Sequence, residues 1–151
     1  MSGWSIDLGK YATDTVEKTN QVCRKVSIEV FRRVIFRTPV GNPALWKVPY
    51  KPKGYVGGRA RNNWFASVGM PSSETTNYPA PTGQAPVSRA SRQTALWDPS
   101  KGQSIFLTNN LPYIEVLERG RVGNKGSLQA PQGMVGITVA EFGGIVSEEA
   151  T

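Results

Sequence analysis

Between Asp7 and Arg37 the apolar positions Val16, Thr19, Cys23, Val26, Val30 and Val34 recur at three- and four-residue spacing, and Val22, Phe31 and Ile35 widen the stripe. This pattern predicts one long amphipathic helix over 7–37 with Cys23 as a small core residue. Asp7 is placed to cap its start, and Arg32, Arg33 and Arg37 suit the negative end of its dipole. Thr38-Pro39 stops it, because a residue before proline is pushed out of helical geometry. From Pro39 to Gly58 prolines and glycines alternate with Trp46, Tyr50 and Tyr55, which predicts an extended excursion whose aromatics pack on this domain or on a neighbour. "RARNNWFASVG" reads as a first strand with Trp64 in its middle. "MPSSETTNYPAPTGQAP" reads as a polar loop, and "VSRASRQTALWD" as a helix with Ser88 as its cap. After the turn "DPSKGQ", "SIFLT" is a second strand. "APQGMVGITVAEF" fits either a short helix opened by Pro131 or a strand with Val135, Ile137 and Val139 on one face; the helix is preferred. The acidic "SEEAT" reads as a frayed tail.

Composition narrows what such a chain does. Its 151 residues suit one domain, here 1–151, with an extended loop at 41–58 and a short acidic tail. No apolar run approaches bilayer length and no signal-peptide layout opens the chain, so a soluble, cytoplasmically made protein without a membrane partner is expected. Cys23 is the single cysteine, which excludes an internal disulfide and multi-cysteine zinc sites. There is no histidine, so Ser-His or Cys-His pairs, imidazole metal ligands and imidazole acid-base chemistry are absent from the repertoire.

The net charge of +7 is uneven: 1–40 carries +3, 41–64 carries +5 and 65–151 carries −1. The middle segment holds Lys47, Lys51, Lys53, Arg59 and Arg61 with no acid. That patch suits phosphates, an acidic protein surface, or simple solvation. Basic and aromatic residues interleaved in this way also stack single-stranded bases, although the irregular spacing and many prolines speak against it.

The remaining candidates for chemistry are thin. Glu115 and Glu118 lie three apart, on one face of a helical turn, whereas an acid-base pair needs carboxylates across a cleft. Asp98 with Lys101 lacks the clustered acids of a two-metal nuclease, and "GRVGNKGS" lacks the order that places a lysine on phosphate. The expectation is a protein that is not an enzyme and uses no cofactor or metal.

The order of blocks carries a resemblance. A long N-terminal helix runs into "RTPVG", then "GGRARNNW", "IFLTNNLPYIEVLERG" and "QAPQGMVGITVAEF". This order resembles the tail-component family of long-tailed double-stranded DNA bacteriophages, variously called tail-completion, neck or tail-to-head joining proteins. The match spans about 7–142, while "NPALWKVPYKPKGYV" and the loop from Pro71 to Pro86 extend beyond the shortest family pattern.

The resemblance implies an α+β fold, a long helix packed on a small, mainly antiparallel sheet with short later helices and long loops. It also implies a structural virion role at the head–tail junction, as a ring most often of six copies assembled in the host bacterial cytoplasm. The implied partners are the tail tube or tail terminator protein, the head completion or connector protein, and DNA passing non-specifically through the lumen. A tail terminator or head-side adaptor ring is the alternative within the same machine; a small basic nucleic-acid-binding protein is the alternative of another class.

Interface candidates are Trp46, Tyr50, Tyr55, Arg59, Arg61, Trp64, Tyr113, Glu118 and Arg119. Glu118 is expected to pair with Arg59 or Arg61, within one subunit or across the ring. Asn109-Asn110 is expected to turn the chain through side chains that tolerate left-handed geometry and bond the backbone locally, Pro112 to open a helical turn and Gly120 to end it.

Overall fold

A computed structural model describes residues 5, 7–46 and 48–151. Lys47, one of the five cations of the basic patch, lies outside the described residues. The chain forms α1 (Leu8–Arg37), α2 (Arg59–Asn62), β1 (Phe65–Val68), α3 (Gln84–Ala95), β2 (Ile105–Thr108), α4 (Ile114–Glu118), α5 (Val135–Ala140) and α6 (Phe142–Ala150). Single 3-10 turns lie at Pro43–Leu45 and Pro99–Lys101. The fold is the mixed α+β arrangement that the patterning and the resemblance implied.

α1 begins and ends where the sequence places its signals. The Asp7 carboxylate accepts from the backbone N–H of Lys10 at 2.9 Å, and Thr38 leaves the helix with extended backbone geometry. At 30 residues it is about 45 Å long, but only its second half is inside the molecule. Val26, Phe31, Val34 and Ile35 are buried, whereas Leu8, Tyr11, Val16 and Cys23 are exposed. Cys23 is therefore a surface thiol and not a core residue. Periodicity marks a face that tolerates burial along its whole length; only neighbouring elements supply a cover, and α3 and α6 cover the C-terminal half alone.

β1 and β2 pair antiparallel, with Phe65 opposite Thr108 and Val68 opposite Ile105. A two-stranded ribbon is marginal by itself. Here α3 packs on β1, and the shared core gathers Phe31, Val34, Ile35, Trp64, Ala66, Ala90, Ala130 and Met134. Ile105, Leu107, Ile114 and Leu117 pack against that cluster from the outside, and every residue of β2 is half-buried.

Four local expectations are corrected. "RARN" is a helical turn, not strand, and Trp64 lies just ahead of β1. Gly58 makes this possible: its φ of +108° swings the chain into α2, and a Cβ there would collide with Ala80 and Pro81. Ser88 sits inside α3, whose N-cap is Gly83. Pro131 lies in a turn, and the helix after it begins at Val135. The C-terminal segment is helical, because α6 buries Ile145 completely.

α6 is also held by charge. Arg37 donates to Glu141 at 2.6 Å and Arg33 at 2.8 Å, and Arg33 also reaches Glu29 at 2.7 Å. Arg37 first and Arg33 second hold the Glu141 carboxyl at about 2, well below its ordinary 4.5. A carboxylate whose folded-state pKa is depressed stabilises the fold above its unfolded value, and that contribution fades as pH falls towards the folded value. The melting-temperature gap between the wild type and Glu141→Gln should therefore be constant near neutral pH and shrink from about 4.5 to about 2. A gap that persists at the acid end would remove this ion pair from the account.

Candidate functional site

The blocks that carry the resemblance converge on one joint at the C-terminal end of α1. The Thr38 hydroxyl donates to the Val34 carbonyl at 2.8 Å and accepts from the Trp64 indole N–H at 2.7 Å. Arg61 reaches the same helix end, donating to the carbonyls of Phe36 at 3.0 Å and Thr38 at 3.0 Å, and also to that of Pro81. Its positive charge satisfies carbonyls that no helical N–H can reach, at the negative pole of the dipole. Burial lowers the guanidinium pKa from its ordinary value, but it remains a cation at any physiological pH.

Asparagines tie the flanking loops to this joint. Asn63 donates to the Arg59 carbonyl at 2.7 Å and the Thr76 carbonyl at 2.9 Å, and its side-chain oxygen accepts from the Thr76 N–H. Asn109 donates to the Ala60 carbonyl at 3.0 Å while its oxygen accepts from the Leu111 N–H at 3.2 Å. That is the local side-chain turn expected of Asn109-Asn110, made without left-handed backbone: every described residue with positive φ is a glycine. Gly120, at φ +74°, ends the following turn as expected.

Glu118 turns inward instead of joining an exposed acidic face. Its carboxylate accepts from three successive backbone N–H groups, Met134 at 3.0 Å, Val135 at 2.9 Å and Gly136 at 2.8 Å. It caps α5 from sixteen residues upstream, satisfying the orphan donors at the positive end of that helix. Within one chain the ion pair expected between Glu118 and Arg59 or Arg61 is not formed. Backbone donors that have no other partner outcompete arginines that already hold carbonyls. Glu115 is exposed and meets Arg119 at 3.6 Å, one turn on, with both side chains on the surface.

Above the joint lies a cleft of about 420 Å³. Its walls come from four separate stretches, 39–46, 55–60, 113–117 and 121–129. Trp46 and Tyr55 meet edge to face, with ring centroids 4.9 Å apart and planes at 66°. Arg59 and Arg121 bring two guanidiniums, and the lining contains no carboxylate. Burial raises the pKa of the Tyr113 hydroxyl; the neighbouring Arg59 opposes the rise and Tyr55 adds to it. The far wall is fastened by Gln129, whose side-chain amide donates to the Val40 carbonyl at 2.8 Å and accepts from the Val40 N–H at 3.0 Å.

Of the nine interface candidates, Trp46, Tyr55, Arg59 and Tyr113 are therefore brought together in this cleft. Tyr50 is 76% exposed and lies outside it, and Arg119 is likewise on the surface. Trp64, at 5% exposure, is part of the core and not a surface anchor in this chain, and Arg61 is spent on carbonyls beneath. Sequence reasoning missed Arg121, inside the glycine-rich "GRVGNKGS", and Leu128 and Gln129 just after it, none of which carries a periodic signal. Arg121 is positioned by backbone pairing of its N–H with the Pro131 carbonyl at 2.8 Å and by the turn Val122–Lys125.

Elsewhere, Asp98 caps the 3-10 turn through the Ser100 N–H at 3.0 Å, with Lys101 4.0 Å away. Among the described residues no group of three or more histidine, cysteine or acidic side chains is placed to hold a metal ion, and no helix is long and apolar enough to cross a membrane. No family model, no curated protein and no solved structure matches the chain.

Proposed function

We propose that this chain is a structural virion protein of a tailed phage, forming a ring at the head–tail junction that completes the tail and joins it to the head connector. One observation carries the reading. The blocks whose order resembles the tail-component family, around Thr38, Arg61-Trp64, Asn109-Glu118 and Met134-Gly136, are bonded to one another. They act as a rigid joint that holds an aromatic and arginine cleft open to the outside. Their chemistry is spent on structure, and what faces solvent is recognition surface. The partners in this reading are further copies of the chain, the tail tube or terminator, and the head connector. A terminator or adaptor position in the same stack is the second reading.

Two experiments test it. Light scattering of the purified protein, alone and mixed with isolated tails, should give a particle near six times the 16.4 kDa subunit mass, free or on the tail end. Disrupting this reading frame in its phage should leave filled heads and unjoined tails that the purified protein joins. Normal joined particles without the protein would overturn the role. Steeply salt-dependent DNA binding by a lasting monomer would favour the nucleic-acid reading.

Removing residues 43–54, the outer part of the excursion, should abolish joining while the protein stays folded. The cut must stop short of Gly57 and Gly58, which pack against Gly41 and against Ala80-Pro81. An unfolded product would show that the excursion belongs to the core.

A further inference from the structure

Two features of this chain are electrostatically unfinished in opposite senses. The cleft lining holds Arg59 and Arg121 without a carboxylate. Arg59 donates to the Thr76 carbonyl at 3.4 Å and lies beside the Tyr113 hydroxyl, and Arg121 donates to the Gly126 carbonyl at 3.2 Å. Neither belongs to an ion pair among the described residues. α6 (Phe142–Ala150), in contrast, carries Glu148 and Glu149 in its last turn, with no basic residue there. Carboxylates there face the negative pole of their own helix, the unfavourable end. Among the described residues Glu148 pairs only with Arg33, at 3.3 Å, and that guanidinium is shared with Glu29 and Glu141. Glu149 has no ion pair among the described residues. α6 is packed on α1 through Ile145, and none of its residues lines the cleft of its own chain. An arrangement that costs stability in the isolated chain marks a place where something else completes it.

We propose that the last turn of α6 from one copy seats in the Arg59–Arg121 cleft of a second copy, with Glu148 and Glu149 meeting the two guanidiniums. This deepens the ring reading and rests on it. Charge and dipole both favour the contact: a helix C-terminus carrying two carboxylates meets two planar cations that pair with carboxylates in bidentate fashion. The volume of about 420 Å³ accommodates the side chains of a helix end. The edge-to-face Trp46–Tyr55 pair offers no parallel slot for a base, and Leu45 and Leu128 add aliphatic wall, which favours protein over single-stranded nucleic acid. The surface given and the surface received differ, so the contact is heterologous and propagates until rotation closes a ring. It is a central anchor of an interface that must reach roughly 800 Å² per partner.

Charge exchange in the full-length protein tests it by sedimentation velocity across concentration and salt. Wild type should associate, and added salt should weaken the association. Arg59→Glu and Glu149→Arg should each weaken it at least about tenfold, while an equimolar mixture of the two variants, or the double variant, should recover it. Glu149→Arg removes a charge from the wrong pole of α6, so its fold should persist even if Arg59→Glu misfolds, and circular dichroism checks both. Association that neither single change alters, or that mixing fails to restore, overturns this contact and leaves the ring reading standing. A wild type that stays monomeric to about 1 mM also overturns it, and the phage joining experiment then decides the ring reading separately.

Discussion

Replacing Trp64 with alanine is expected to lower the unfolding free energy by about 3–5 kcal/mol, the largest loss available from one side chain here. The indole is 5% exposed and lies in the cluster with Phe31, Val34, Ile35, Ala66, Ala90 and Met134. Truncation removes its packing and opens a cavity between α1, α3 and the β1–β2 ribbon that these neighbours cannot all move to fill. The lost indole N–H bond adds less, because the Thr38 hydroxyl keeps its own acceptor, the Val34 carbonyl at 2.8 Å. Trp64→Phe separates the two contributions: it keeps most of the volume and should cost about 1–2 kcal/mol. Typical domains have about 5–15 kcal/mol in total, so the alanine variant should unfold at markedly lower denaturant. Urea titration followed by circular dichroism measures both. A loss below about 1 kcal/mol for Trp64→Ala would mean that the joint is not part of the cooperative core.

Glu118→Ala should be the next most damaging change, and its damage should be local. Hydrogen bonds to a charged group contribute about 1.5–3 kcal/mol each, yet the Val135 and Gly136 donors are exposed and recover water when the carboxylate leaves. A total of about 2–3 kcal/mol is therefore expected, centred on α5 and α6. Met134, fully buried beside the cap, couples the two helices to the core. Gly133 shows how tight the approach is: it sits at φ +78°, and a Cβ there would collide with the Glu118 backbone carbonyl. Hydrogen exchange should show residues 135–150 opening ahead of α1 and α3, with Glu118→Gln intermediate. Unchanged protection in α5 would assign the cap no energetic role.

These two residues also show how far the sequence can be read. Trp64 is visible as an aromatic in an apolar run, but the same run suggests a strand through it. The helical turn of α2 depends on Gly58, which combines a left-handed backbone with close contact to Ala80-Pro81, more than twenty residues later. Glu118 is visible as an acid three places after Glu115, which reads as an exposed helical face. Its actual partners are backbone amides, and backbone amides leave no mark in residue types. Ser88 as a cap and the frayed "SEEAT" fail for a related reason, since the packing of α3 on β1 and of Ile145 in the core overrides local preference.

By itself the sequence determined the features that near-neighbour chemistry controls: α1 from its cap at Asp7 to its stop at Thr38-Pro39, the β2 strand, the Asn109 turn, the Gly120 stop and the uneven charge. These rest on sterics, capping and periodicity within a few residues. Only the tertiary structure decided which half of α1 is covered, that Glu118 caps α5, and that Trp46, Tyr55, Arg59, Tyr113 and Arg121 share one cleft. Burial and long-range hydrogen bonds depend on which surfaces the folded chain brings together, and no spacing along the sequence encodes that distance.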